Sequence, residues 1–182
     1  MSRADRLVWI DLEMSGLDPE RCTILEIATI VTDGNLKVIA NGPNLAIHQP
    51  SDVLLSMDSW NCAQHAKTGL TERVKKSDLG LFGAESQTLK FLKEHIDAGV
   101  SPLCGNSVHH DRLFIKRYMP DLSKFLHYRH IDVSTVKELA RRWYGDAAKY
   151  QKQGNHIALS DIKESIEELR FYRENFFKGV PV

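Results

Sequence analysis

The stretch Leu7-Val8-Trp9-Ile10-Asp11-Leu12-Glu13-Met14-Ser15-Gly16-Leu17-Asp18-Pro19 sets the hardest folding problem in the chain. Leu7 to Ile10 is an unbroken apolar run, the pattern of a strand buried on both faces, and Gly16 and Pro19 break the backbone soon after it. Asp11 and Glu13 therefore fall where a buried strand ends. Side chains alternate along a strand, so these two acids, two apart, project from the same face. Neighbouring carboxylates that are partly buried need protons, hydrogen bonds or cations, and a divalent ion is the natural partner. D-x-E alone favours a solvated strand end, so the metal reading depends on whether further acids join the pair.

The rest of the chain supplies a scaffold for them. Ile24 to Thr32 is rich in β-branched residues, Asp33-Gly34-Asn35 turns it, and Leu36 to Ala40 follows, which with the first strand predicts three successive antiparallel strands. Leu45 to His48 extends the sheet before Pro50. Glu26, an acid inside the second apolar run, reads as edge-facing or hydrogen-bonded rather than catalytic. From Ser51 the pattern turns helical, in broken pieces through Trp60 and His65, then after Gly83 in a longer helix ending at Gly99. Pro102 to Gly105 reads as a short strand reached by a helical crossover, the connection that adds a parallel strand. Asp111 opens a helix that stops before Pro120. His130 to Val133 is a further strand, with Ser134 or Thr135 as the N-cap of a helix through Trp143. A last helix lines up Leu159, Ile162, Ile166, Leu169, Tyr172 and Phe176. Strands followed by helices with interposed strands predict an α/β fold, a mixed sheet covered by helices.

Several function classes are excluded by composition. With 24 basic and 24 acidic residues the net charge is zero, whereas a protein gripping a long nucleic acid duplex carries a basic stripe. No apolar run reaches membrane-span length, no apolar signal core follows Met1, and the odd set Cys22, Cys62 and Cys104 shares no metal-ligand spacing. The expectation is one domain spanning residues 1–182, cytoplasmic, with reduced thiols and no membrane partner.

Asp111 and Asp161 each sit near the start of a helix, and His156 precedes Asp161 by five positions. The set Asp11, Glu13, Asp111, His156 and Asp161 resembles the DEDDh group of 3′ to 5′ exonucleases, named for four acids and a histidine. Asp11-x-Glu13 is similar to the first motif of that group, Asp111 to the second, and His156 with Asp161 to the third. Within the group the chain resembles the oligoribonuclease family, on Trp9 to Glu20, Cys104 to Ser107 and His127 to Trp143, with similarity from about Leu7 to Phe176. The resemblance implies a ribonuclease H-like, mixed five-stranded sheet flanked by helices. It implies hydrolysis of very short oligoribonucleotides, dinucleotides especially, from the 3′ end to nucleoside 5′-monophosphates. The departures are Ser15 where threonine is common, Ser160 in place of a frequent aspartate, and His109 and His110 before Asp111, where smaller or amide residues are expected. As neighbours at a helix start, these two histidines are expected to point in different directions.

Phosphodiester cleavage explains the residue types. Two divalent cations about 3.5 to 4 Å apart orient and activate water and stabilise the entering and leaving oxygens, and Mg2+ or Mn2+ prefer carboxylate oxygen. As the resemblance implies, Asp11 bridges both ions, Glu13 and Asp161 hold the one that activates water, Asp111 supports the other, and His156 is the general base. It also implies that Leu17 wedges against bases and that Trp60 and His65 line the 3′ nucleotide pocket, although Trp60 also fits a core role. Ser107, Arg129 and Ser134 would cap a 5′ phosphate, and Tyr128 would stack on the 5′ base from the partner subunit of a homodimer. A proofreading or repair DNA exonuclease with the same acids is disfavoured by the zero net charge and the His127-Tyr128-Arg129 stretch. A noncatalytic nucleotide-binding protein is disfavoured because no motif acid is missing.

Overall fold

The structure is a computed structural model that describes residues 2–151 and 157–177. Leu7–Met14 forms β1, Ile24–Thr32 β2 and Val38–Ala46 β3; after three short helices, α1 (Ser51–Leu55), α2 (Ser59–Lys67) and α3 (Leu70–Lys76), comes α4 (Leu81–His95). Then follow β4 (Leu103–Gly105), α5 (His109–Tyr118), α6 (Pro120–Phe125), β5 (His130–Asp132), α7 (Val133–Tyr144) and α8 (Ala158–Phe176). One five-stranded sheet results, in the order β3-β2-β1-β4-β5. The first three strands pair antiparallel, and β4 and β5 join parallel to β1, as the helical crossover predicted.

Alternation along β1 divides the core. Val8, Ile10 and Leu12 pack on one face with Leu92 of α4, Phe114 of α5 and Leu122 of α6. Trp9 points to the other face, where Ala140 of α7 and Ile162, Ile166 and Tyr172 of α8 cover it. The indole N–H of Trp9 donates to Thr32 Oγ1 at 3.0 Å, so its one polar atom is satisfied in the interior. Asp11 and Glu13 share the Trp9 face, the side that α8 covers.

The element ends differ from the sequence reading in four places, each for a local reason. β3 starts at Val38 rather than Leu36 because Leu36 adopts a left-handed φ of 67° that closes the hairpin, with Asp33 Oδ1 accepting from the N–H groups of Asn35 and Lys37. It then runs unbroken to Ala46, because Gly42 and Pro43 are absorbed by an irregularity in the pairing. β3 is an edge strand, where the missing N–H of proline is tolerated. Helix α4 begins at Leu81, before Gly83, and ends at His95; Gly99, with φ 73°, lies in the turn beyond and donates to the Phe125 carbonyl. The N-cap of α7 is Asp132, not Ser134 or Thr135, because its carboxylate accepts from the Ser134 N–H at 2.9 Å.

Candidate active site

The carboxyl ends of β1 and β4 meet where the chain, having laid β2 and β3 on one side of β1, crosses over to lay β4 on the other. Ligand crevices open at such switch points. Asp11 and Glu13 sit on the last residues of β1, and α8 brings in Asp161 from its first turn. Carboxylate oxygens of Asp11, Glu13 and Asp161 all lie within 4.8 Å of one another. Asp111 approaches from α5 on the opposite face of the sheet, and its Oδ1 accepts from the Leu12 backbone N–H at 3.0 Å. The four acids thus gather around one strand end.

Their electrostatics describe a site that wants cations. Burial, then the charges of Asp111, Glu13 and Asp161, hold the Asp11 carboxyl well above the usual carboxylate range. Glu13 is pushed up to about 8 by burial and by the Asp161, Glu26 and Asp111 charges, with Arg73 pulling slightly the other way. Asp111 is raised to about 7, chiefly by burial and against the stabilising Leu12 hydrogen bond. A set of hard oxygen donors that resists ionising when alone fits a divalent cation of the Mg2+ or Mn2+ type.

His65 is buried at the end of α2. Its Nε2 lies 3.0 Å from the Met14 carbonyl oxygen, which only accepts, so Nε2 carries a proton and Nδ1 faces Glu13 Oε2 at 3.9 Å. Trp60 and Leu17 are 63% and 64% exposed, which rules out the core reading of Trp60. Leu17 and Asp58, the cap of α2, line a groove of about 400 Å³ beside β1. Ser15 ties the start of that groove down, because its Oγ accepts from the Thr23 N–H at 3.0 Å. His156 lies outside the described residues.

At the end of β4, Ser107 holds a left-handed φ of 51°, unusual for a residue with a side chain. Its N–H donates to Asp132 Oδ1 at 3.0 Å and Ser134 Oγ at 2.9 Å, and the two hydroxyls lie 3.3 Å apart. Arg129 does not join them. It precedes β5, whose first residue pairs with Leu103, whereas Ser134 follows the last, which pairs with Gly105. Three strand residues span about 10 Å. The Arg129 guanidinium instead lies 5.3 Å from the centre of the Tyr128 ring. Tyr128 and Arg129 therefore form one exposed unit, apart from the two serines of their own chain.

Arg73, a residue of this region that the sequence reading did not single out, partners a buried acid. Glu26 pairs directly across from Glu13 on β2, fully buried, and both its oxygens accept from the Arg73 guanidinium of α3. It is hydrogen-bonded but not edge-facing, since β2 is interior to the sheet. The side chains of His109 and His110 do not diverge as expected: their rings lie 4.0 Å apart at the start of α5.

An exonuclease family profile matches residues 8–169. The oligoribonuclease of Hahella chejuensis is 58% identical over 98% of this chain and 98% of its own length, and that of Yersinia pseudotuberculosis 56% identical over 96% and 97%. The chain belongs to the oligoribonuclease family. Among solved structures, exonuclease I of Methylocaldum szegediense superposes with a TM-score of 0.68 at 19% identity, and E. coli exonuclease I in complex with a 5cy-dA13 oligonucleotide with 0.69 at 14%. These cover 95% and 93% of this chain, which spans only 41% and 40% of theirs, so they speak to the fold alone. That fold is ribonuclease H-like.

For a member of the oligoribonuclease family, the raised carboxyl groups carry a consequence for stability. The folded state holds protons on Asp11, Glu13 and Asp111 that the unfolded chain releases near its ordinary carboxylate values. Between about pH 4 and 8 the folded state binds more protons, so stability falls as pH rises through that window. Metal-free protein in chelator is expected to melt several degrees lower at pH 8 than at pH 5, and added Mg2+ or Mn2+ to raise the midpoint more at pH 8. A melting temperature flat from pH 5 to 8 in chelator would contradict this electrostatic picture.

Proposed function

We propose that this chain is a 3′ to 5′ exoribonuclease that hydrolyses very short RNA, dinucleotides above all, to nucleoside 5′-monophosphates. The observation that carries the reading is the meeting of Asp11, Glu13 and Asp161 within 4.8 Å at the end of β1, with Asp111 beside them, in a chain similar end to end to oligoribonucleases. Two divalent cations, Mg2+ or Mn2+, supply Lewis acidity and water activation when bound. Asp11 would serve both of them, Glu13 and Asp161 would hold one, and Asp111 would hold the other. His156 takes the proton of the attacking water. The bond from phosphorus to the upstream 3′ oxygen breaks, and the 3′ nucleotide leaves with the phosphate.

Leu17, Trp60 and His65 receive the 3′ nucleotide. Exposed Leu17 and Trp60 offer apolar surface for bases, and His65, held by the Met14 carbonyl, buttresses Glu13. Ser107 and Ser134 form one side of a cap that receives a 5′ phosphate. Because Tyr128 and Arg129 stack on each other away from these serines, we assign both to the site of the partner subunit: Arg129 for the phosphate, Tyr128 for the 5′ base. A homodimer of one exonuclease domain per chain, working in the cytoplasm, follows from this reading.

The test compares Mg2+-dependent release of mononucleotide from a dinucleotide, a longer RNA and single-stranded DNA. Dinucleotide is expected to turn over fastest by at least about tenfold, equivalent to some 1.4 kcal/mol of transition-state discrimination. Faster attack on DNA would favour a DNA exonuclease, and binding without release a noncatalytic nucleotide-binding protein.

A further inference from the structure

Between the four acids and the serine pair lies a buried polar chain that neither the metal ligands nor the phosphate cap accounts for. Glu168 of α8 is fully buried. Its Oε1 receives Lys137 Nζ at 3.0 Å and the Tyr172 hydroxyl at 3.2 Å, and its Oε2 receives Asn106 Nδ2 at 3.1 Å. The carboxylate only accepts, which fixes the orientation of the Asn106 amide. The same Nδ2 lies 2.7 Å from Ser165 Oγ, whose proton goes to the Asp161 backbone carbonyl at 2.8 Å. On its other side, Asn106 Oδ1 accepts from the Ser134 hydroxyl at 3.0 Å.

The direction of these bonds matters more than their number. Along the line that ends at Glu168 the protons point inward: Lys137, Tyr172 and Asn106 donate to Glu168, Ser134 gives its hydroxyl proton to Asn106, and Ser134 Oγ in turn accepts the Ser107 N–H. Ser134 thus has no proton left to offer an incoming anion, whereas the exposed Ser107 hydroxyl can turn its own outward. The amide of Asn106 also joins the helix that carries Asp161 to the loop that carries Ser107, so it fixes the separation between the acids and the cap. A fully buried carboxylate that lost this partner would keep its desolvation cost, so the arrangement is held firmly.

We propose that Asn106, oriented by Glu168, is a positioning residue for 5′ phosphate recognition, and that Ser107 rather than Ser134 is the hydroxyl donor to that phosphate. The inference rests on the phosphate-cap reading above. It deepens that reading by naming what holds the cap and which of its hydroxyls is free to act.

The readout is the ratio of kcat/KM for the 5′-phosphorylated dinucleotide pApA to that for ApA, which cancels differences in folded fraction. Asn106→Ala is expected to lower this ratio on the order of tenfold, mostly through KM for pApA, the scale of losing a partner that orients a ligand-binding group. Ser107→Ala, which removes the hydroxyl proton free to meet the phosphate, is expected to lower the ratio as well, and an unchanged ratio would overturn the donor role of Ser107. Should Asn106→Ala not accumulate as folded protein, Glu168→Gln asks the same question. One amide oxygen cannot serve Lys137, Tyr172 and Asn106 together, and the ratio should again fall. Arg129→Ala serves as the reference. If it lowers the ratio while Asn106→Ala and Glu168→Gln leave it unchanged, the positioning role is overturned and the cap stands. If Arg129→Ala leaves it unchanged, the cap reading fails and the positioning role falls with it.

Discussion

Asp11→Asn is expected to abolish turnover while making the metal-free protein more stable. The substitution keeps the shape of the side chain and removes one charge from a strand end where the neighbouring charges of Asp111, Glu13 and Asp161 already oppose its ionisation. Removing a like charge from such a cluster relieves repulsion, so the melting temperature in chelator at pH 8 should rise. Catalysis should move the other way, because Asp11 is the ligand assigned to both cations. Losing about 4 kcal/mol of transition-state stabilisation corresponds to a fall on the order of a thousandfold in kcat. A variant with near wild-type turnover in Mg2+ would remove Asp11 from the metal site. The same inactive chain also reports on the dimer. Mixed with a Tyr128→Ala or Arg129→Ala chain, it should yield heterodimers with one complete site, taking its acids from one subunit and its Tyr128 and Arg129 from the other. Activity above both parents is the expected result, and mixtures no better than either parent would place those two residues in their own chain's site.

His156→Ala is expected to lower kcat by about two to three orders of magnitude, the range of general acid–base catalysis, with KM for a dinucleotide changed little. A base that removes the proton of water must be neutral to act, so the wild-type rate should rise with pH through the titration of the histidine. The variant should lose that acidic limb. His109 and His110 provide the control. Their rings contact each other at the start of α5, two and one residues before Asp111. If His109→Ala or His110→Ala removed the acidic limb and His156→Ala did not, the base would have been misassigned.

How much of this site could be read from sequence follows from how far apart its parts lie along the chain. Asp11 and Glu13 were legible because strand alternation alone sets their relation, and the strand was marked by an apolar run and two backbone breakers. β2 matched its predicted span residue for residue, since Ile24 to Thr32 is rich in β-branched residues and bounded by a turn. The Glu26–Arg73 pair, 47 residues apart, and the Asn106–Glu168 contact, 62 apart, have no local signature. A buried acid tells the reader that a partner exists but not which cation the fold will bring. Arg129 was grouped with Ser107 and Ser134 through the family resemblance, and only the register of β5 against β4 shows it at the far end of the strand. Asp132 was passed over as a cap because Ser134 and Thr135, both good caps, follow it closely and the strand was read one residue too long.

The pairing of Glu26 with Arg73 bears on how the protein feels ionic strength. Glu26 lies directly across the strand from Glu13, and without the guanidinium it would add a fifth negative charge to the cluster. Cancelled by Arg73, it leaves four carboxylates, the number that two divalent cations balance to zero. Filled by two such cations, the proposed site would be neutral in itself, and on a chain neutral as a whole it would cast little net field into solution. On the proposed reading, a long RNA would then gain less from its many phosphates than it would on a basic surface, and the binding of short RNA would respond little to salt. The expected preference for short RNA would begin before any contact is made, in the lack of a net charge that draws the longer chain.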